Sequence, residues 1–355
     1  MSRLNSNQGN FFEDFYLGQQ FKHGVPRTIT QADATLYLAL TGSRLALHCA
    51  EPIAQRCGFN TTPLDNLLVF HVAFGKTVND ISLNAVANLG YAEIRFHRPC
   101  FAGDTLSVTS EVIGLKQNSS GQSGIVYVRS IAKNQFEQDV VSWIRWVMVV
   151  RQQSTSEPHS AVVPQFQSTL EASQIAPPEC LNCRDWQSSD SDNQPRFGDF
   201  AIGDSIFHRD GITINDSDHS LATRLYQNNA RVHFDQHMMN TRATPQRLVY
   251  GGHIISICHA LSYNGLGNGL WLSGINGGSH ANPCYAGDTI YCQSEILDRQ
   301  TINGRDDLGL IRIRMLGLKN ATPDELDYLY RDNNGRTQYH PNLVLDLDYW
   351  TLMLV

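Results

Sequence analysis

Pro99-Cys100-Phe101-Ala102-Gly103-Asp104-Thr105 returns later in the chain as Pro283-Cys284-Tyr285-Ala286-Gly287-Asp288-Thr289, displaced by 283 − 99 = 184 residues. In each copy a Gly-Asp turn leads into a β-branched, alternating run, as a turn entering a strand does. Nearly the same displacement recovers a repeat on the N-terminal side. Phe12-Glu13-Asp14-Phe15-Tyr16-Leu17-Gly18 recurs as Phe197-Gly198-Asp199-Phe200-Ala201-Ile202-Gly203. Thr28-Ile29-Thr30 with Asp33 recurs as Thr213-Ile214-Asn215 with Asp218, and His48 matches His233, at 233 − 48 = 185. A chance match would not hold register over so many residues. The chain therefore reads as two homologous halves, 1–151 and 195–355, joined by a linker, 152–194, rich in Ser, Pro, Gln and Asp.

Each half carries the same order of patterns. Thr30 and Asn215 stand where helix N-caps belong, and Asp33 and Asp218 suit a helix start. Leu36/Leu40 and Leu221/Leu225 have the i,i+4 spacing expected of one buried helix face. A polar loop with a histidine follows, then a long apolar segment, Leu67 to Ile81 and Val249 to Tyr263. The period then changes to strand-like runs: 104–115, 124–132 and 140–150, matched by 288–297, 308–316 and 343–355. One long helix followed by antiparallel strands predicts an α+β unit with the sheet curled around the helix. Two such units side by side predict one continuous sheet with a helix in each half.

The 355 residues are 41% hydrophobic and 17% charged, enough to bury a sizeable core. A net charge of -7 without a basic run argues against nucleic acid as a partner. The first twenty residues are polar and acidic, so no secretory signal is expected. No run reaches the roughly 18–20 apolar residues of a membrane span. Eight cysteines scattered over so long a chain suggest reduced thiols and a cytoplasmic protein. Cys180-Leu181-Asn182-Cys183 has no second pair with which to hold zinc and lacks the strand-then-helix setting of a redox motif.

The chemistry is expected in Tyr226-Gln227-Asn228-Asn229-Ala230-Arg231-Val232-His233-Phe234-Asp235, together with Tyr250-Gly251-Gly252-His253. His233 has the unperturbed pKa suited to moving a proton near neutrality. Gly251 and Gly252 place bare N–H groups at a helix start, where they and the helix dipole would stabilise a developing oxyanion. Asn228, five residues before His233, can orient a water by hydrogen bonds without titrating. Tyr226, Gln227 and Tyr250 are expected to contact the substrate. The first half offers Phe70-His71-Val72 where the second has its glycines, so the second half is expected to be active and His48 with Ser43 to be a remnant. His233 and His237 have the spacing of a zinc pair, but on a loop with no Glu after the first, and no metal is expected.

The Phe-x-Asp-Phe-x-x-Gly opener, the histidine loop, the glycine-led apolar segment and the Ala-Gly-Asp-Thr strand entry together resemble the MaoC-like family of acyl-CoA hydratases and dehydratases in its double hotdog form. The resemblance covers nearly the whole chain outside the linker. Within that family, Arg224 to Phe234, Tyr250 to Ser256, and Leu67 to His71 with Phe74 to Val78 look like its mesaconyl-CoA hydratase branch. The resemblance implies a tandem hotdog fold, with an antiparallel sheet wrapped around a long central helix in each half. It also implies reversible hydration of a short branched enoyl-CoA in the cytoplasm by a homo-oligomer, with no cofactor beyond the CoA of the substrate. R-specific hydratases of the family carry Gly-Asp-x-Asn-Pro-x-His. Aligned on the histidine, their Asp falls on Asn228 and on Ser43, so neither half keeps the acidic partner. Arg231 replaces the proline and is a candidate for a substrate carboxylate, with Arg44 and Arg224 behind it; Arg242 and Arg247 could meet CoA phosphates. Two rivals are a dehydratase for another CoA or carrier-protein thioester and a non-catalytic acyl-CoA binder.

Overall fold

The computed structural model describes residues 8–153, 161–333 and 336–355. The first half runs β1 (Gln20–Lys22), β2 (Arg27–Thr28), α1 (Gln31–Thr41), α2 (Ala46–Cys49), α3 (Glu51–Arg56), α4 (Asn66–Lys76), β3 (Ala85–Phe96), β4 (Thr105–Gln117), β5 (Ser123–Lys133) and β6 (Asp139–Val150). The second runs β7 (Ser205–Thr213), α5 (Asp216–Leu225), α6 (Gln236–Met239), α7 (Gly251–Leu266), β8 (Gly269–Ser279), β9 (Thr289–Thr301) and β10 (Leu308–Lys319). A side hairpin of β11 (Tyr330–Asn333) and β12 (Arg336–Tyr339) then precedes β13 (Leu343–Leu354).

Eleven strands form one antiparallel sheet in the order β1-β4-β5-β6-β3-β8-β13-β10-β9-β7, with β2 beside β4. The order reads alike from either end once the halves are exchanged, and β3 and β8 join them, Tyr91 opposite Gly278 and Ile94 opposite Ile275. These two joining strands are absent from the pattern read in the sequence. Gly90 in β3 and Gly274, Gly277 and Gly278 in β8 lower the strand signal, yet packing requires some of them. A Cβ at Gly90 would lie 2.4 Å from the Trp146 ring, and one at Gly278 would lie 2.6 Å from Leu347.

The two long helices share one apolar core with the inward face of the sheet; Leu68, Phe70, Val72, Ile254, Ile257 and Leu261 belong to the same cluster. Every residue of α4 is buried, which fits a segment that is apolar apart from Asn66, His71 and Lys76. Across the two-fold relation of the halves, His71 Nε2 lies 3.0 Å from Ser256 Oγ. Since 256 − 71 = 185, each helix presents the same position to the other.

Thr30 caps α1 by accepting from Asp33 N, and the Asp33 carboxylate accepts from Thr30 N. Asn215 holds the matching place before α5, but its amide donates to Asp218 at 2.7 Å and caps no backbone N–H. The expected leucine faces are displaced by about one residue. α1 buries Tyr37 and Thr41, with Leu36 and Leu40 on its flank. α5 buries Ala222 and Leu225, while Leu221 is 41% exposed. Tyr37 sets the α1 face, because its hydroxyl reaches Ser256 Oγ, 3.0 Å away.

The linker, where described, is packed rather than free. Val162 pairs with Leu115, and Leu170, Ile175, Leu181 and Cys183 are buried. Cys183 is buried against Cys57 and Cys180 is exposed. Among the described residues no helix is long and apolar enough to cross a membrane, and no group of three His, Cys, Asp or Glu could hold a metal ion.

Candidate active site

α5 ends at Leu225, and Gln227 takes a left-handed φ of 52° that turns the chain. Lys76 of the first half donates to the Gln227 side-chain oxygen and holds the turn in place. Asn228 is thereby buried, and its Oδ1 accepts from Ala230 N at 3.0 Å. Its Nδ2 has no acceptor among the described residues. The next turn, Arg231–His233, brings His233 Nδ1 to 2.8 Å from the Leu248 carbonyl. A carbonyl can only accept, so Nδ1 carries the proton and Nε2 keeps a lone pair. Nε2 has no hydrogen-bond partner among the described residues. Burial lowers this imidazole to about 4, so it is neutral at neutral pH.

Tyr250 precedes α7 and meets the His233 ring edge-on at 5.7 Å. Among the described residues nothing accepts a hydrogen bond from the Gly251 or Gly252 amide, as at any uncapped helix start. His233, Asn228, Tyr250 and Gly251 all line one cavity of about 720 Å³. Its other wall comes from the first half: Phe74, the 82–88 segment, Tyr91 and Arg145.

Of the other residues expected at the site, some line the cavity and the rest lie elsewhere. Gly252 does not reach the cavity wall; a Cβ there would lie 2.4 Å from the Tyr250 ring and 2.6 Å from His71 Nδ1. Tyr226 is wholly buried behind the site, its ring 4.9 Å from His71 and 5.8 Å from Tyr250. Gln227 is exposed and spent on Lys76. Arg231 lines the cavity but is exposed rather than facing inward. Arg44 sits 4.6 Å over the Tyr263 ring, and Arg247 is engaged by Asp216 and Ser220. Arg242 is at the cavity. His237 lies on α6 and is exposed.

Three cavity residues escaped the sequence reading. His280 packs against Gly251, and its Nε2 is 3.1 Å from the Tyr91 hydroxyl; burial lowers its pKa to about 4. Arg145 lies wholly buried in β6. The last carries a signal in retrospect: Val141, Trp143, Arg145, Val147 and Val149 alternate on the buried face of β6, and one of the five is charged.

In the first half, His48 Nδ1 lies 3.0 Å from Pro63 O, repeating the His233–Leu248 contact at the same spacing, 63 − 48 = 248 − 233 = 15. The rest differs. The caps show that Asp65-Asn66-Leu67, rather than Phe70-His71-Val72, stands where Tyr250-Gly251-Gly252 begins the second helix. The Asp65 side chain accepts from Leu67 N at 2.8 Å, so this helix start is already capped. Trp271 from β8 closes to 5.6 Å on His48, and the space left is about 10 Å³, at the lower limit for a single water. Ala87, at 271 − 184 = 87, holds the matching position in the open cavity.

A MaoC domain protein from Chloroflexus aurantiacus superimposes with a TM-score of 0.94 at 46% identity, covering 99% of each chain. A Mycobacterium tuberculosis protein described as a double hotdog fold matches with a TM-score of 0.76 over 98% of this chain and 99% of its own, at 23% identity, a likeness of fold alone. Two helices on one continuous sheet, with one open histidine site between the halves, define a double hotdog protein of the MaoC-like dehydratase class. More narrowly, the chain belongs to the mesaconyl-CoA hydratase family, whose sequence model matches residues 2–263. It is 47% identical to the β-methylmalyl-CoA dehydratase of Chloroflexus aurantiacus over 98% of both chains. It is 44% identical to the mesaconyl-CoA hydratase of Cereibacter sphaeroides over 99% of both.

Proposed function

We propose that this chain catalyses the reversible hydration of mesaconyl-CoA to β-methylmalyl-CoA. The observation that carries the reading is His233, whose anchored Nδ1–H leaves a neutral Nε2 facing the same cavity as the Gly251 amide. In the hydration direction a water lies between His233 Nε2 and Asn228 Nδ2. Nε2 takes one proton from it as hydroxide adds to the β-carbon. The electron pair of the double bond passes to the thioester oxygen, where the Gly251 N–H and the α7 dipole stabilise it. The imidazolium then returns its proton to the α-carbon, and water has been added with nothing left over. Asn228 supplies orientation where related enzymes use a carboxylate, so the basic work falls to the imidazole alone.

The reaction uses no cofactor beyond the CoA of the substrate, and activity should survive treatment with EDTA. Exposed Arg231 and Arg242 at the cavity suit the CoA phosphates. A homo-oligomer in the cytoplasm fits the eight free cysteines and the exposed Leu17 and Ile202, which occupy matching places in the two halves; light scattering would give the number of copies. Mesaconyl-CoA should lose its enoyl-thioester absorbance in the presence of the protein. His233→Ala should slow this by about 10²–10⁴-fold, and full activity in that variant would remove the mechanism. Turnover of other enoyl thioesters in preference to mesaconyl-CoA would redirect the substrate assignment.

A further inference from the structure

Three arginines line the cavity, Arg145, Arg231 and Arg242, together with two histidines, and its lining contains neither Asp nor Glu. Arg145 stands apart from the other two because it is 0% exposed. Its Nη2 donates to Thr77 Oγ1 at 2.9 Å and to Ser82 Oγ at 3.3 Å, and Nη1 lies 3.4 Å from Ser82 Oγ. Its Cζ lies 4.3 Å over the Phe74 ring. Its Nε is buried with no hydrogen-bond partner, and no carboxylate pairs with it among the described residues. A guanidinium has five N–H groups; here they meet two neutral hydroxyls and an aromatic face. Burial pulls its pKa down only to about 10, so it stays charged at neutral pH.

A buried charge without a counter-ion is costly. Tying β6 to the turn after α4 does not require one, since a neutral donor would hold Thr77 and Ser82 equally well. The position is also suggestive. Phe74, under the guanidinium, lies 5.9 Å from Tyr250, and Tyr250 flanks both His233 and Gly251. Arg145 thus closes the end of the cavity contributed by the first half, one aromatic ring away from the proposed reacting centre.

We infer that Arg145 binds the distal carboxylate of the substrate, which makes it the residue that selects a four-carbon enoyl-CoA chain ending in an acid. The inference rests on the hydratase reading above and deepens it. Arg231, the residue first expected in this role, is exposed, where water competes for the carboxylate. The counter-ion that the protein withholds is then supplied by the ligand, and binding completes the pair in a place that water barely reaches.

The test compares mesaconyl-CoA with tiglyl-CoA, which has the same carbon skeleton with a methyl group in place of the carboxylate. In Arg145→Gln, kcat/KM for mesaconyl-CoA should fall about 10²–10³-fold, while tiglyl-CoA turnover holds or rises. An equal fall on both substrates, or no fall on mesaconyl-CoA, overturns the assignment. Should the variant not fold, the unmodified protein still decides: succinyl-CoA should bind at least about tenfold tighter than butyryl-CoA by calorimetry, and equal affinities overturn the assignment. Absence of mesaconyl-CoA turnover by the unmodified protein would sink the hydratase reading instead, and the two saturated thioesters would still test the arginine separately.

Discussion

At the scale of the residue, the site depends on which nitrogen of His233 carries the proton. The Leu248 carbonyl settles it, and burial keeps the ring neutral down to about 4. The sign follows directly: a base must be unprotonated, and the base proposed above is so throughout the range in which an ordinary histidine near 6.5 would be gaining charge. kcat/KM should therefore be flat from about pH 5.5 to 8. An acid limb centred near 6.5 would show that the base is some other group or that the ring is exposed. Gly251 makes a second prediction at this scale. A Cβ there would lie 2.4 Å from His280 Cε1 and 2.5 Å from its Nε2, so Gly251→Ala must displace the imidazole that meets the Tyr91 hydroxyl. With the amide shielded and the wall displaced, kcat should fall about 10²-fold with little change in Tm. Unchanged kcat would mean that the thioester oxygen lies elsewhere.

At the scale of the element, α4 of the first half supports the loop of the second that carries Asn228 and His233. Gly75 lies so close to this loop that a Cβ would come within 1.9 Å of the Tyr226 carbonyl oxygen and 3.2 Å of Asn228 N. Gly75→Ala should cost about 1–3 kcal/mol of stability and also lower kcat, because the loop that must yield carries Asn228 and His233. A Tm loss with kcat intact would mean that the helix gives way instead. This coupling also marks how far the sequence could be read. α4 and α7 were legible because they are apolar on nearly every side, and β4, β5, β6, β9, β10 and β13 because they alternate after recognisable turns. β3 and β8 were not, since their glycines serve neighbouring side chains rather than strand propensity. That His233, Asn228, Tyr250 and Gly251 would come together was legible from the repeat and from their resemblance to a family. Arg145 and Tyr91 were not, because they reach the cavity from the other half, and no local pattern states which strand of one repeat faces the loop of the other.

At the scale of the whole molecule, the two halves share one arrangement and differ in how the space beside each histidine is filled. One helix start is capped by Asp65 and its histidine covered by Trp271; the other is bare and opens over Ala87. Buried histidines lie across the core, and they bear on the behaviour of the fold in acid. His233 aside, His71, His208 and His253 are 0% exposed. Burial lowers His71 to about 3 and His208 and His253 to about 4. Both ring nitrogens of His253 lack partners among the described residues, so a proton there would have no acceptor. Each of these groups has a folded pKa below its unfolded value near 6.5. Between about pH 6.5 and 4 the unfolded chain therefore binds protons that the folded chain refuses. Their contribution is complete above pH 6.5 and shrinks as pH falls, at about 1.4 kcal/mol per pH unit for each histidine. Four such slopes act in the same direction and are large beside a typical stability of about 5–15 kcal/mol. Thermal melts followed by circular dichroism should show Tm level from pH 8 to 7 and falling steeply below 6, with cooperative loss of the fold between about pH 5 and 4. His208→Gln should flatten the fall without touching activity at neutral pH, because this ring lies between the Asn264 carbonyl and Ser294, at 2.7 and 2.8 Å, and does not line the cavity. A Tm that stays constant down to pH 4.5 would mean that these rings are hydrated or already protonated in the folded protein, and the neutral state assigned to His233 would fall with them.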